Sequence, residues 1–310
     1  MTDGLSSLEP KGRLAIIAGN GSLPVHLAEA ARAAGEDPFI IPLRNESDQR
    51  FEGFETARAS IADIAGFDRL FREKRIDRVV LSGGVTRRPD WRDIRPNWKA
   101  LRKLPLLVRT LVSGGDDALL QVAIGIIEAQ GCRVIGAHEI APGLLARTGP
   151  LGAHSPSDED RRDIEKASEA ARRLGELDIG QGAVSVGGRI VALEGVEGTD
   201  RMLERVAALR AEGRISARRR GVLVKLCKPQ QDMRADLPAV GPSTVANAVK
   251  AGLAGVAIES GRALVLEEEK MIAAADAAGI FVCGIDPGLP NGGLPNGGLP
   301  DGELPGGGLS

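Results

Sequence analysis

The chain has 310 residues and a formal net charge of −2; 43% of its residues are hydrophobic and 3% are aromatic. This length accommodates two domains with apolar cores of their own. The near-neutral charge provides no basic field for nucleic acid, and the scarcity of aromatic residues argues against stacking platforms for single strands.

The cysteines and the polar start of the chain bear on its compartment. Three cysteines lie far apart in apolar runs, which favours buried thiols in a reducing compartment over a disulfide framework or a zinc site: Cys132, Cys227 and Cys283. No signal peptide is recognisable, and no uncharged apolar run reaches the roughly 18 residues of a transmembrane helix. We therefore expect a soluble, cytoplasmic protein.

Apolar strands alternate with helical segments through the first half of the chain. Strands are predicted over 14–18, 39–41, 78–81 and 132–135, and helices over 25–34, 66–74, 99–111 and 116–129. This alternation is typical of an α/β domain whose mostly parallel, Rossmann-like sheet is covered on both faces. We assign residues 1–140 to this N-terminal, nucleotide-side domain.

The second half of the chain also has the pattern of an α/β domain. It follows a connection that is rich in proline and glycine. Residues 141–157 lack periodicity and are interpreted as an interdomain linker. Gly187-Gly188 lies between two apolar runs and predicts a hairpin, so we expect residues 158–287 to form a C-terminal catalytic domain with a mixed sheet. Residues 288–310 are dominated by glycine and proline and are predicted to be a disordered tail.

The connection from Lys228 to Pro238 carries the densest chemistry in the chain. It follows an apolar strand and precedes a turn into a helix, so it should lie at the carboxyl edge of a sheet, where open α/β folds bind ligands. Lys228 and Arg234 suit a phosphate, whereas Asp232 and Asp236 suit Mg²⁺ or a water to be activated. On charge content alone, a solvated loop with self-paired charges is the simpler interpretation.

Two glycine-rich turns follow predicted strands. Gly19 to Pro24 is similar to a dinucleotide fingerprint, but Pro24 replaces its third glycine and no acidic residue ends the second strand. A conventional NAD site is therefore not expected, while a phosphate contact and a plain tight turn are both open. Gly83-Gly84 is a second candidate anion contact.

Acidic residues between the hairpin and the next helix form a candidate metal-binding group. Glu194, Glu197 and Asp200 could help to hold Mg²⁺, although solvated loop acids explain any one of them more simply. Glycine-rich strand ends, a Lys/Arg pair and scattered carboxylates together fit an enzyme that handles a phosphate ester with Mg²⁺. Walker A and GxSxG motifs are absent from the sequence.

An ordered series of segments resembles the UDP-2,3-diacylglucosamine pyrophosphatases of the LpxI type. The resemblance runs from about Lys11 to Pro287 and leaves out the Gly/Leu/Pro/Asn tail. Its segments are AGNGSLP at 18–24, GGDDALL at 114–120, GAHE at 136–139, LDIGQGAV at 177–184, EGTDRML at 197–203, KPQQDMRADLP at 228–238, AGLAGVAIESGRALVLE at 251–267 and GIDP at 284–287.

The resemblance implies Mg²⁺-dependent hydrolysis of UDP-2,3-diacylglucosamine to UMP and 2,3-diacylglucosamine 1-phosphate (lipid X), in lipid A biosynthesis. It implies two α/β domains with the ligand held between them, and an essential aspartate in the DLP segment, here Asp236. The expected partners are a lipid-linked UDP-sugar and, transiently, the surface of the inner membrane. The oligomeric state stays open.

These arguments lead to a set of predicted site residues. Asp236 is the predicted catalytic residue, and Asp236, Asp200 and Glu197 are the predicted Mg²⁺ ligands. The predicted substrate-binding residues are Gly19, Asn20, Gly21, Ser22, Leu23, Gly83, Gly84, Gln181, Gly182, Thr199, Lys228, Gln231 and Arg234.

Two alternative functions stay open at this point. One is a catalytically silent nucleotide- or lipid-binding protein on the same fold, which detection of UMP release would exclude. The other is a doubly wound dehydrogenase. The missing third glycine and the missing ribose-binding acid disfavour it, and a nicotinamide-binding titration would decide.

Overall fold

A computed structural model of the protein describes residues 12–85 and 116–288. The helix predicted over 99–111 and nearly all of the tail predicted to be disordered lie outside these ranges. Among the described residues, no helix combines the length and the apolar character needed to cross a bilayer.

The first sheet is fully parallel, with strand order β2-β1-β3-β4. Its strands are β1 (Arg13–Ala18), β2 (Phe39–Pro42), β3 (Ile76–Ser82) and β4 (Arg133–Ile135). They are largely buried apolar runs, as expected for a parallel sheet covered on both faces. The direction of winding reverses between β1 and β3, and open α/β sheets bind ligands at such a switch point.

Helices cover both faces of this sheet. They are α1 (Leu23–Ala33), α2 (Ile64–Glu73), α3 (Asp116–Ala129) and the short α4 (Ala137–Ile140). Side chains alternate along β1, so Leu14 and Ile16 pack in one cluster with α1, whereas Ile17 packs in another with α2 and α3. The doubly wound N-terminal sheet predicted from the sequence is confirmed.

The second sheet is mixed, with strand order β5-β12-β10-β8-β6-β7. Its strands are β5 (Gly149–Pro150), β6 (Gly182–Val186), β7 (Arg189–Leu193), β8 (Val222–Lys225), β10 (Gly255–Glu259) and β12 (Phe281–Ile285). β8, β10 and β12 are parallel, whereas β6 is antiparallel to both β8 and β7. Gly187 and Gly188 close the β6–β7 hairpin with positive φ angles of 60° and 78°, which confirms the prediction.

The second sheet is also covered on both faces. Its helices are α5 (Asp158–Glu176), α6 (Gly198–Ala211), α7 (Pro242–Lys250) and α8 (Glu268–Ala278), and a separate pair of short strands consists of β9 (Ala239–Val240) and β11 (Leu264–Val265). On one face Ile164 of α5 packs in a cluster with Val224, while on the other Leu203 of α6 packs with Leu223. The sheet therefore has an apolar cluster on each side.

The segment 141–157, predicted to be a plain linker, is structured over much of its length. A 3-10 turn covers Pro142–Leu144, Leu145 forms an isolated bridge with Leu264, and Gly149–Pro150 pairs with β12. The second sheet thus begins before the predicted boundary at 157. A two-residue strand is too short to produce periodicity in the sequence, which explains why composition alone indicated a connection.

The two domains share an apolar cluster. Cys227, Leu237 and Leu264 from the second half pack together with Leu27 and Ile135 from the first. Cys227 directly precedes the charged segment from Lys228 to Pro238, and Leu237 lies near its end, so packing between the domains holds both ends of that segment.

Candidate functional site

The carboxyl end of β8 and the start of β6 meet at one edge of the second sheet. Gly182 is in register with Lys225, and the backbone N–H of Leu226 donates to the carbonyl of Gln181 at 2.9 Å. Because β6 is antiparallel to β8, and β7 is antiparallel to β6, the end of β7 lies at the same edge. Two segments that are far apart in sequence, 180–182 and 226–238, are therefore adjacent in the fold.

A buried glutamate organises the first of these segments. One carboxylate oxygen of Glu194 accepts the Thr199 hydroxyl at 2.6 Å, and the other accepts the backbone N–H of Gln181 at 3.3 Å. A Cβ atom on Gly182 would come within 2.7 Å of that carboxylate, which accounts for the glycine. Gln181, Gly182 and Thr199 are thus brought together. Glu194 is the residue that joins them, and it was absent from the predicted set.

Asp236 lies within the second segment and is held by Gln231. The side-chain amide of Gln231 donates from Nε2 to Asp236 Oδ2 at 3.0 Å. Its Oε1 accepts the backbone N–H of Lys228 at 3.1 Å and the Cys227 thiol at 3.4 Å. Burial raises the pKa of that thiol to about 11, so it is protonated at neutral pH and can donate.

The Asp236 carboxyl group is both accessible and closely surrounded by protein. Its side chain is exposed to solvent, yet desolvation by the surrounding protein raises its pKa. The positive charges of Lys225 and Lys228 oppose the increase in pKa, and the negative charge of Asp117 adds to it.

Asp117 brings a second carboxylate to the site from the first domain. Desolvation raises its pKa first of all, the negative charge of Asp178 adds to the increase, and Lys228 opposes it. Its Oδ1 atom is buried and has no hydrogen-bond partner among the described residues. The doubled aspartate at the start of α3, after two glycines, was the available signal in the sequence.

The two predicted phosphate-binding cations are engaged with carboxylates. Lys228 Nζ lies 2.6 Å from Asp178 Oδ1. Arg234 contacts Asp232 at 2.7 Å and Glu128 of α3 at 2.9 Å. The cations of the loop therefore pair with carboxylates of the loop itself and of both domains. A loop with self-paired charges had been the simpler interpretation of the sequence. A phosphate would have to compete with these carboxylates for the two cations.

Two of the three predicted metal ligands are bonded to side chains other than that of Asp236. Asp200 accepts a hydrogen bond from Asn247 Nδ2 at 2.9 Å, and Glu197 pairs with Arg205 at 2.9 Å. Within residues 12–85 and 116–288, no group of three His, Cys, Asp or Glu side chains is placed to hold a metal ion. α6 begins at Gly198, so Asp200 lies within its first turn.

The glycine-rich turns after β1 and β3 lie against each other. Asn20 and Gly84 exchange backbone hydrogen bonds of 2.8 and 3.1 Å. A Cβ atom on Gly19 would lie 2.2 Å from the Gly84 carbonyl oxygen, and Gly83 has a φ of 82°. These glycines are required by close packing at the switch point of the sheet.

Not all of the backbone donors in this turn are available to a phosphate. The N–H of Gly21 already donates to Asp48 Oδ1 at 3.0 Å. Ser22 and Leu23 lie at the N-terminus of α1, where Ser22 makes no side-chain capping bond. In the first turn of α1, Pro24 has no N–H, and the N–H of Val25 donates to the Ser22 carbonyl at 3.1 Å, so few backbone donors are left for an anion.

Replacing Gly19 with alanine should destabilise the protein, because the new methyl group would overlap the Gly84 carbonyl oxygen. We expect a loss of about 2 kcal/mol in the free energy of unfolding, as typical for overpacking. Gly21→Ala is the matched control. Its Cβ meets no atom within 4 Å, so the penalty is limited to the positive φ of 87° and should be about 1 kcal/mol. Urea denaturation measures both, and equal losses would contradict the close packing.

Comparisons with known proteins bear directly on this arrangement. A family model described as the LpxI N-terminal domain matches residues 13–144, and one described as the LpxI C-terminal domain matches residues 147–283. The UDP-2,3-diacylglucosamine pyrophosphatase LpxI of Caulobacter vibrioides is 42% identical over 276 residues, which cover 89% of this chain and 98% of that protein. The chain belongs to the LpxI family.

Solved structures add nothing to this assignment. The UDP-glucose 4-epimerase of Thermus thermophilus, in complex with NAD, is 15% identical with a TM-score of 0.28 and covers 86% of this chain and 84% of its own. The UDP-N-acetylglucosamine 4-epimerase of Bacillus cereus is 11% identical with a TM-score of 0.29, covering 88% and 87%. At such scores the superpositions support no conclusion about fold or ligand.

The LpxI segments that prompted the resemblance converge at the site. The segments at 114–120, 177–184 and 228–238 supply Asp117, Asp178, Gln181 and Asp236, and the one at 197–203 supplies Thr199. Contacts between side chains and their effects on pKa link these segments across both domains. The edge of the second sheet, together with the start of α3, is therefore the candidate active site.

Proposed function

We propose that this protein hydrolyses the diphosphate of UDP-2,3-diacylglucosamine to UMP and lipid X. Membership of the LpxI family and the activity named for the Caulobacter relative support this proposal. The observation that carries it is the placement of Asp236. Its carboxylate is accessible, held by Gln231, and surrounded by two lysines and a carboxylate from the other domain.

Hydrolysis requires a water oxygen to form a bond to one phosphorus while the bond from that phosphorus to the bridging oxygen breaks. The electron pair stays with the bridging oxygen, which becomes part of the departing phosphate. In our proposal the Asp236 carboxylate orients the water and accepts its proton. A carboxylate with a raised pKa is a stronger base near neutral pH than an ordinary aspartate, and this suits the task.

Cationic side chains lie where a diphosphate would be bound. Lys225 is buried and donates from Nζ to the Ala239 carbonyl at 3.1 Å, and its charge reaches Asp236. Lys228 is half-buried beside Asp178. We propose that Lys228 exchanges Asp178 for a phosphate oxygen when substrate binds, because a diphosphate carries the higher charge.

Mg²⁺ suits the chemistry of the carboxylates present. Burial raises the pKa of both Asp117 and Asp236, and Asp117 has a buried oxygen without a hydrogen-bond partner among the described residues. Mg²⁺ is commonly held by one or two carboxylates together with water and substrate phosphates. We propose that Asp117 would hold the ion beside Asp236, which stays free to act as the base, and that the ion would neutralise charge on the phosphate oxygens. Asp200 and Glu197 are less suited, since Asn247 and Arg205 engage them.

Apolar side chains at the rim of the site suit a substrate with two acyl chains. Leu177 and Ile179 precede Gln181, and Leu193 and Val196 flank Glu194; all four are exposed. We propose that this rim meets the acyl chains while the protein, working in the cytoplasm, transiently contacts the inner-membrane surface.

The test is to incubate the purified protein with UDP-2,3-diacylglucosamine and Mg²⁺ and to separate the products. We expect equal amounts of UMP and lipid X, and loss of both when EDTA removes divalent ions. Binding of the UDP-sugar without release of UMP would overturn the proposal in favour of a silent binding protein.

A further inference from the structure

Gln231 had been expected to contact substrate, but its side chain is buried and hydrogen-bonded within the protein. It is 8% exposed, and both ends of its amide have partners. Oε1 accepts from the backbone N–H of Lys228 and from the Cys227 thiol, while Nε2 donates to Asp236. Little of this amide is therefore exposed to a substrate.

The partners of Gln231 also determine which way its amide points. Turning the amide over would place its NH₂ group against the N–H of Lys228 and its oxygen against the Asp236 carboxylate, so both contacts would become repulsive. The observed orientation is therefore the one compatible with both neighbours. It gives the Asp236 carboxylate a side-chain donor at a fixed place.

The Gln231 side chain links Lys228, at the beginning of the loop, to Asp236 near its end. Its backbone N–H closes a turn onto the Lys228 carbonyl at 3.1 Å, and a second turn runs from Asp232 to Ala235 with an N–H···O distance of 2.9 Å. The side chain of Gln231 spans both turns to reach Asp236. Lys228 and Asp236 therefore keep their relative placement through this amide.

We propose that Gln231 is a positioning residue that orients the Asp236 carboxylate and does not itself bind substrate. The inference rests on the function proposed above. Removing groups that orient a catalytic or metal-binding side chain commonly lowers activity by about 10–100-fold. A substrate contact would act differently, because its loss weakens binding of the ground state and raises KM.

The first test compares kcat and KM for three variants. Gln231→Ala removes all three side-chain hydrogen bonds. Gln231→Met removes them but keeps the length of the side chain, so it separates hydrogen bonding from packing. Gln230→Ala is the matched control, since Gln230 is an exposed neighbour of the same type whose amide donates to the Gly175 carbonyl at 2.7 Å.

We expect Gln231→Ala and Gln231→Met to lower kcat by about 10–100-fold with KM within about threefold of the wild type. The Gln230→Ala control should keep its kcat. A wild-type kcat in a folded Gln231→Met protein would overturn the inference and leave the proposed function standing. A wild-type protein that releases no UMP would overturn both.

The second test measures binding of UDP-2,3-diacylglucosamine to the inactive Asp236→Ala protein, with and without Gln231→Ala. If Gln231 acts through Asp236, the added substitution should change Kd by less than about twofold. A tenfold weaker Kd, equivalent to about 1.4 kcal/mol, would show a direct substrate contact and contradict the inference.

Discussion

Replacing Asp236 with alanine is expected to leave a folded protein that binds UDP-2,3-diacylglucosamine and turns it over about 10²–10⁴-fold more slowly, as for loss of an acid–base group. The side chain is exposed, and Gln231 together with the flanking Leu237 holds the loop around it, so its removal should cost little stability. The effect should appear in kcat, because the carboxylate acts on the water.

A melting curve, a binding titration and kcat on the same preparation separate the roles that Asp236 could have. Loss of folding would indicate a structural role, and a raised KM with normal kcat would indicate binding alone. Gln230→Ala provides the control for a substitution in the same loop. A folded Asp236→Ala protein with near-normal kcat would contradict the assignment and move the search to Asp117 and Asp232.

Replacing Asp163 with alanine should produce a large loss of stability. This aspartate of α5 is 2% exposed and accepts three hydrogen bonds, from Ser185 Oγ at 2.5 Å and from the N–H groups of Gly187 and Gly188 at 2.9 and 2.6 Å. Its removal leaves the closing turn of the β6–β7 hairpin without its acceptor. We expect a loss of about 3 kcal/mol, chiefly because the buried Ser185 hydroxyl is left unpaired, and each unpaired buried group costs about 1–3 kcal/mol.

Urea denaturation with a control on the same helix measures this effect. Glu169 is exposed on α5 and forms a surface pair with Lys166, so Glu169→Ala should change the free energy of unfolding by less than about 0.5 kcal/mol. If Asp163→Ala unfolds at the same urea concentration as Glu169→Ala, the carboxylate does not support the hairpin.

The architecture was predictable from the sequence where patterns are local. The apolar run at Leu14–Ala18 and its counterparts indicated buried parallel strands, and Gly187-Gly188 indicated the hairpin. The order of the strands and the two-residue strand at Gly149–Pro150 were not predictable. Both depend on pairing between distant segments, and neither leaves a periodic signal.

In the site, too, contacts within one loop were predictable from the sequence, whereas contacts between distant segments were not. Lys228, Gln231 and Asp236 share one loop, so their proximity followed from the sequence. Asp117 and Asp178 lie far away in the chain, and folding alone brings them to Lys228. Glu197, Asp200 and Asp236 were grouped by residue type, but side-chain partners near α6 engage the first two.

Which charges neutralise one another could not be read from the sequence either. Lys228 and Arg234 were assigned to a phosphate because their cationic side chains suit one. In the folded chain each has a carboxylate within 3 Å, one of them on a helix of the other domain. Coulomb pairing of this kind depends on distances that residue spacing does not provide.

The most direct test of the central claim is hydrolysis in water enriched in ¹⁸O, followed by mass spectrometry of both products. If water attacks one phosphorus of the diphosphate, each turnover should place one ¹⁸O atom in either UMP or lipid X, and the labelled product identifies the phosphorus attacked. Absence of UMP and lipid X, or formation of both without label, would contradict the proposed hydrolysis.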